Sequence, residues 1–373
     1  MSIIRYVSRL LVGLVFTFSG FVKCIDPLGT AYKISDYLVD FGLNGLTDLS
    51  LTLSILLCGI ELVIGLMLLT NTLVRWAAWM SLIFMLFYTP LTLFLAIANP
   101  ISDCGCFGDA IILSNWQTFL KNIVLIIFVI LLFIDRDKYQ ELFAPRYRYF
   151  FLVFLIFISI GFEIWSINHL PIIDFRPYKI GNNINEGMEI PPGEKNEIYE
   201  STFYYKKDGK TQEFTINNIP TTSGWEYVDR KDKLIQKGYE PPIHNFSIIS
   251  LEGEDITEPI LRYNYTFLLI AHDLDKANIS HQTEINELAE FLLVSGYDFL
   301  CITAASNKQI DNFRLITNAP YPFYRMDPVT LKTIVRSNPG LIMIKRGTIL
   351  NKWHHKHLPS LGALNSELQS VVY

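Results

Sequence analysis

Apolar residues run almost unbroken through the first half of the chain, in stretches parted by short polar breaks, whereas beyond about position 168 they alternate with polar ones. A helix that crosses a bilayer needs about twenty mostly apolar residues, because every backbone N–H and C=O must find its partner inside the segment. Five stretches qualify: 4–22, 51–70, 73–98, 118–134 and 149–168, the third with an interfacial turn expected near Thr89, Pro90 and Thr92. Arg5 and Arg9 ahead of the apolar core of the first stretch suit a signal peptide, but no small-x-small cleavage pattern follows and more spans come directly after. The stretch is therefore expected to stay as a helix.

The second half reads differently. Residues 169–240 are polar and turn-rich, with Pro171, Pro177, Pro191 and Pro192 and a hairpin pattern from Phe203-Tyr204-Tyr205 to Phe214-Thr215-Ile216, as in a connector with some strand content. From about 241, strand-like segments (246–251, 266–271, 298–303, 341–345, 348–353) alternate with helical periodicity at 280–295 and 306–316, which predicts an α/β layer structure.

Composition agrees with two halves in two solvents. Of 373 residues 50% are hydrophobic and 18% charged, and all seven histidines follow position 168. The net charge of −5, with no long like-charge block, excludes the basic field that nucleic acid requires. If the helices alternate, Arg5, Arg9, Arg75, Arg136, Lys138, Arg146 and Arg148 share one side, expected to be cytoplasmic. The opposite loops, 23–50 and 99–117, carry Asp26, Asp36, Asp40, Asp48, Asp103 and Asp109 against only Lys23 and Lys33. Five spans from a cytoplasmic N-terminus then put everything after about 169 outside, in the periplasm of a bacterium.

Chemistry concentrates in Asp103-Cys104-Gly105-Cys106-Phe107-Gly108-Asp109. Two thiols one residue apart can bond only if the backbone bends, which Gly105 permits, and such a bond would be strained and easily reduced. Three readings stay open: redox exchange on an oxidising face, an inert loop constraint, and metal ligation, the last without a nearby histidine to complete a zinc site. Cys24 maps to the same face as a resolving thiol or a packing residue; Cys58 and Cys301 lie in apolar runs and are expected to be buried and inert. Glu61, inside the second stretch, needs a partner or a proton at that depth: either it forms a proton or quinone site, or it bonds Lys23 or Lys121. Gly59 and Gly65 beside it permit close helix approach. Trp116 and Trp165 fit an outer aromatic belt, Trp76 and Trp79 an inner one. Trp353-His354-His355-Lys356-His357 is expected to form a solvated surface loop, with weak metal binding as the alternative.

The motifs Phe18-Ser19-Gly20-Phe21-Val22-Lys23, Asp26-Pro27-Leu28-Gly29-Thr30-Ala31-Tyr32-Lys33 with Asp36-Tyr37-Leu38, and the Asp103-to-Asp109 loop followed by Asn115-Trp116-Gln117-Thr118-Phe119 resemble the DoxX and MauE families of bacterial inner-membrane proteins. That resemblance covers about residues 1–140 and implies a four-helix bundle. DoxX relatives are linked to quinone-coupled oxidation of sulfur compounds and MauE to maturation of a disulfide-rich periplasmic enzyme; the cysteine loop favours the MauE-like branch. Further on, Pro242-Ile243-His244-Asn245-Phe246-Ser247 with Glu252-Gly253-Glu254-Asp255-Ile256-Thr257, then Tyr265-Thr266-Phe267-Leu268-Leu269-Ile270-Ala271, then Asn338-Pro339-Gly340-Leu341-Ile342-Met343-Ile344 with Arg346-Gly347-Thr348-Ile349-Leu350, resemble the thioredoxin-like fold, with Pro339 as the cis-proline. Where that family carries Cys-x-x-Cys, this chain reads Asp273-Leu274-Asp275-Lys276-Ala277-Asn278-Ile279-Ser280 and holds no thiol.

The expected architecture is thus a four-helix transmembrane domain (1–140), a fifth transmembrane helix (141–170), a periplasmic connector (171–240) and a thioredoxin-like domain without its dithiol (241–373). The expected function is assistance to periplasmic thiol-disulfide chemistry or protein maturation through Cys104 and Cys106, with quinone as the cofactor to consider. The alternative is a non-enzymatic scaffold whose α/β domain binds a cell-envelope protein. Besides that protein, the bilayer is the expected partner. A transporter has little support, since the sequence has no internal repeat.

Overall fold

The computed structural model describes residues 2–99, 103–195, 198–207, 210–216, 218–220, 224–236 and 238–370. Its first half is helical: α1 (Ser2–Ile25), α2 (Pro27–Asp40), α3 (Ser50–Leu69), α4 (Val74–Ala98), α5 (Asn115–Ile134) and α6 (Pro145–Asn168). All but α2 are long and apolar enough to cross a membrane, α3 together with the 3-10 turn before it. The protein is a multi-pass membrane protein. Val12, Phe16, Ile64, Met67, Leu68, Ala77, Val129 and Leu132 form the bundle core, while Ile83, Phe87, Ile97, Leu120, Ile134, Phe150 and Phe157 stay exposed outside it, as side chains in lipid do.

Two expectations for this half change. The interfacial turn near Pro90 is absent, because α4 runs through it as one helix; a proline interrupts a membrane helix little when its neighbours take up the freed backbone groups. Loop 23–50 contains α2, whose start carries recognisable signals: Pro27 opens it, and the Asp26 carboxylate accepts from Gly29 N at 2.9 Å. Part of the opposite loop, residues 100–102, lies outside the described residues.

α1 crosses α3 closely because small residues leave room. A Cβ on Gly20 would come within 2.4 Å of Leu62 N, and one on Gly65 within 2.3 Å of Thr17 N. One end of the bundle is tied by Arg5–Asp135 (3.2 Å), Arg148–Glu141 (2.7 Å) and Arg75–Asp137 (3.5 Å). The cysteine loop and α2 occupy the other end.

The connector divides in two. Residues 174–189, with the short helix α7 (Ile184–Met188), strap onto the α/β domain: Gly181 N donates to Ile349 O at 2.8 Å, Ile349 N to Asn182 O at 2.9 Å and Ile184 N to Gly347 O at 2.8 Å. Residues 198–236 form a separate antiparallel sheet of β1 (Ile198–Lys207), β2 (Lys210–Thr215) and β3 (Glu226–Gln236), in the order β2-β1-β3. The expected hairpin is β1–β2, with Phe203 opposite Phe214; its turn, 208–209, lies outside the described residues, and β3 was not foreseen.

Beyond it follow α8 (Thr257–Arg262), β4 (Thr266–Ala271), α9 (Gln282–Val294), β5 (Asp298–Thr303), α10 (Asn307–Thr317), β6 (Phe323–Arg325), α11 (Pro328–Ile334), β7 (Gly340–Lys345), β8 (Thr348–His354) and α12 (Leu361–Ser370). The sheet order is β6-β5-β4-β7-β8, with β4, β5 and β6 parallel and β7 and β8 antiparallel to their neighbours. Alternate residues feed opposite faces: Phe267, Leu269, Phe299 and Met343 pack with α9, α10 and α12, while Leu268, Ile270, Ile302 and Ile342 pack with Tyr178, Ile184 and Leu331. A β-α-β unit joined to a β-hairpin, with Asn338–Pro339 cis ahead of β7, is the thioredoxin-like fold. The 246–251 segment is not a strand; Ile249 makes only isolated bridges, to Asp255 and Arg325. The histidine run is not a solvated loop either: His354 ends β8, and it and His355 are 4% and 8% exposed.

Candidate thiol site

Gly105 and Gly108 take φ of +66° and +52°, the left-handed region that lets a short loop reverse direction, and Asp103 caps the turn by accepting from Gly105 N at 2.9 Å. The bend brings Cys104 Sγ and Cys106 Sγ to 2.9 Å, both as free thiols. Each side of the loop is held by a different element. From α2, Lys33 Nζ donates to Asp103 at 2.7 Å and Tyr37 OH to Cys104 O at 3.3 Å; from α1, Ser19 OH donates to Cys106 O at 2.5 Å. Lys121 of α5 sits over the Phe107 ring at 4.4 Å.

The two thiols differ in kind. The hydrogen bond between the two sulfurs, in which either can donate, holds the Cys106 thiol well below its ordinary value; burial opposes this, and the charges of Lys121 and Lys23 assist it. Cys104 is pushed up, first by that same hydrogen bond and then by burial. Cys106 is the half-exposed member of the pair and Cys104 the buried one.

Beneath Cys106 a cavity of about 30 Å³ runs into the bundle, lined on its polar side by Ser19, Lys23, Glu61, Tyr88, Lys121 and Asn122. That is room for a water or two. Glu61 is bonded here to Lys23, at 2.6 Å.

Cys24 turns away from this loop: its Sγ donates to Glu163 Oε1 at 3.2 Å and lies 4.0 Å from Ser159, both on α6. Glu163 was missed in the sequence, although an acid within the apolar run 149–168 was the available signal. It is fully buried, and its Oε2 has no hydrogen-bond partner among the described residues. Cys58 and Cys301 are buried in the bundle and sheet cores. Trp76, Trp79, Trp116 and Trp165 are exposed.

The α/β domain rests on the loop by the face where its fold carries a dithiol. Arg336, just before the cis-proline turn, donates through Nε to both Asp26 oxygens (2.9 and 2.8 Å) and through a terminal nitrogen to Asp109 at 3.3 Å. At the end of β4, His272 Nε2 meets Tyr32 OH at 3.4 Å, and Lys332 stands 5.0 Å from the Tyr32 ring. Burial lowers His272 to about 4, so it is neutral there. In place of the dithiol, Asp273 caps its own turn, accepting from Asp275 N and Lys276 N. A second contact is a group of rings: Trp165 and His169 at the end of α6 stack at 4.4 Å and His169 stacks on His357 at 4.3 Å, with His354 tilted 6.3 Å from His357 and 4.1 Å from His355.

Fold and site define a membrane helical bundle with a dithiol loop, capped by a thioredoxin-like domain that has no dithiol of its own. Residues 1–135 match the family described as methylamine utilisation protein MauE; of the two families that the first half resembles, MauE is the one matched. Residues 199–237, the small antiparallel sheet, match a domain of unknown function (DUF8463). No curated protein matches the chain. Among solved structures, a proposed protein disulfide isomerase from Bacteroides thetaiotaomicron is similar at 14% identity over 34% of this chain and 82% of that one, with a TM-score of 0.27. A thioredoxin-like protein from Aeropyrum pernix is similar at 16% identity over 34% of this chain and 89% of that one, with a TM-score of 0.28.

Proposed function

We propose that this protein exchanges disulfides with cell-envelope proteins through Cys104 and Cys106. The observation that carries the reading is the 2.9 Å thiol pair, whose partly buried member Cys106 is held below its ordinary thiol value. The Cys106 thiolate attacks a substrate disulfide, forming a mixed disulfide, and one substrate sulfur leaves and takes up a proton. Cys104 then gives up its proton and attacks Cys106 Sγ; the Cys104–Cys106 bond forms, the mixed disulfide breaks, and the second substrate sulfur leaves with that proton. Two electrons pass to the substrate, which ends as a dithiol. The same steps reversed oxidise a substrate dithiol.

In that reverse direction a bilayer quinone is the acceptor we propose, taking two electrons and two protons from the pair and leaving as quinol. The cavity under Cys106 is water-sized, which suits it to the protons and leaves the quinone to approach from the lipid side. We further propose an inner-membrane location with the arginine-rich end cytoplasmic, supported by the seven basic residues gathered there.

Free thiols trapped with a maleimide in membranes, with and without reductant, test the reading. Cys104 and Cys106 should be blocked before reduction and labelled after it, and the C104S/C106S double variant should lose exchange with a disulfide peptide. Thiols that stay reduced throughout, with exchange unchanged in the double variant, would sink the proposal. The scaffold alternative draws support from the missing dithiol at 273–280, but the face it would use is already covered by α2 and the cysteine loop.

A further inference from the structure

We infer that Arg336 is a positioning residue for the Cys104–Cys106 pair, acting through Asp109 and Asp26, so that the thioredoxin-like domain completes a thiol site that the membrane bundle alone would hold loosely. The inference rests on the exchange reading above and adds a second domain to it. Three carboxylates surround the loop at this end. Asp103 is paired with Lys33, whereas Asp26 and Asp109 converge on one guanidinium that comes from 227 or more residues away in sequence. Arg336 is 5% exposed and its other terminal nitrogen donates to Lys332 O, so the group is fixed at both ends.

Each carboxylate passes that fixation to the cysteines by its own route. Asp109 lies three residues beyond Cys106 in the same loop, past the left-handed Gly108. Asp26 caps α2, and α2 supplies the Lys33 and Tyr37 that hold Asp103 and Cys104 O. Taking Arg336 away leaves Asp26 and Asp109 as adjacent carboxylates without their shared ion-pair partner, with only the more distant charges of Arg176 and, for Asp109, Lys33 acting on them. Their repulsion moves the loop off α2 and draws Cys106 away from Lys23 and Lys121, the cations that favour its thiolate. The approach is tight: a Cβ on Gly29 would lie 2.6 Å from Asp26 Oδ2 and 2.8 Å from an Arg336 terminal nitrogen. Gly29→Ala therefore wedges the contact without altering any charge.

The test is the pH profile of Cys106 alkylation in the full-length protein, with the labelled peptide located by mass spectrometry, alongside the equilibrium of the pair in glutathione buffers. Groups facing Cys106 are Cys104 on its own loop, Lys23 of α1, Tyr37 of α2, Glu61 of α3, Tyr88 of α4 and Lys121 of α5, and none of them changes in the variants. Arg336→Gln and Gly29→Ala should each move the alkylation midpoint to higher pH by about half a unit, which slows labelling about threefold at pH values well below the midpoint, where the thiolate fraction is small. Arg336→Lys should fall between them and wild type, since it keeps the charge and loses the fork. Wild-type profiles in variants that melt like wild type would overturn the inference. If Arg336→Gln fails to fold, Gly29→Ala decides alone. A wild-type pair that neither cycles nor alkylates below the usual thiol range would instead sink the exchange reading.

Discussion

At the residue scale the site depends on an asymmetry between two cysteines one residue apart. Their shared hydrogen bond favours the Cys106 thiolate over that of Cys104, and the charges of the lysines on α1 and α5 assist it. Lys121 is expected to contribute separately from Lys23. Lys121→Met should raise the Cys106 alkylation midpoint by about half to one pH unit, because a nearby cation favours the thiolate. The sign follows from the thiolate being the reactive form: a higher pKa shifts the whole rate curve to higher pH. A midpoint equal to wild type would mean that Lys121 serves only Phe107. The pairing of Glu61 was partly legible, as its depth demanded a partner and Lys23 and Lys121 were the nearest candidates in the pattern. That Cys24 turns to Glu163 was not, because which side of α1 meets α6 depends on how five helices pack.

At the element scale the bundle hinges on the α1–α3 crossing, where Gly20 and Gly65 leave backbones in direct contact. Gly65→Leu is expected to destabilise by about 1–3 kcal/mol or more through overpacking, read as a lower melting temperature in detergent. Gly161, with open space around its Cβ position, is the control that should tolerate Ala. Apolar periodicity fixed the spans to within a few residues, since the bilayer length requirement is severe and uniform. It overlooked α2, which is half-buried and capped rather than long and apolar. β6 and the short helices α8 and α11 were missed for a related reason: three to seven residues carry too few periods to read.

The whole molecule joins its halves at two places, the Arg336 contact and the group of rings between α6 and β8. Burial lowers His354 to about 3 and His355 to about 4. A histidine whose folded value lies below its unfolded one makes stability rise with pH, because the unfolded chain binds more protons in between. Stability should therefore fall as pH drops from about 6.5 towards 4. The drop in melting temperature over that window should be smaller in a His354→Gln/His355→Gln variant, and an equal drop would place the acid sensitivity elsewhere. The sequence assigned these histidines to a solvated loop since nothing local marks them as covered. What covers His355 is Ser337 of the cis-proline turn, at 2.9 Å and 18 residues away.

By itself the sequence determined the five membrane spans, the order of the long helices and of the main strands of the α/β domain, the bend at Gly105 and the missing dithiol at 273–280. All of these are set by composition, period or local backbone freedom, which neighbours along the chain suffice to express. Only the tertiary structure decided which thiol of the pair is acidic, where Cys24 points, that the strap 174–189 belongs to the α/β domain, and that Arg336 reaches Asp26 and Asp109. Those depend on charges and close approaches between residues far apart in the chain, whose energies exist only once packing has removed the water between them.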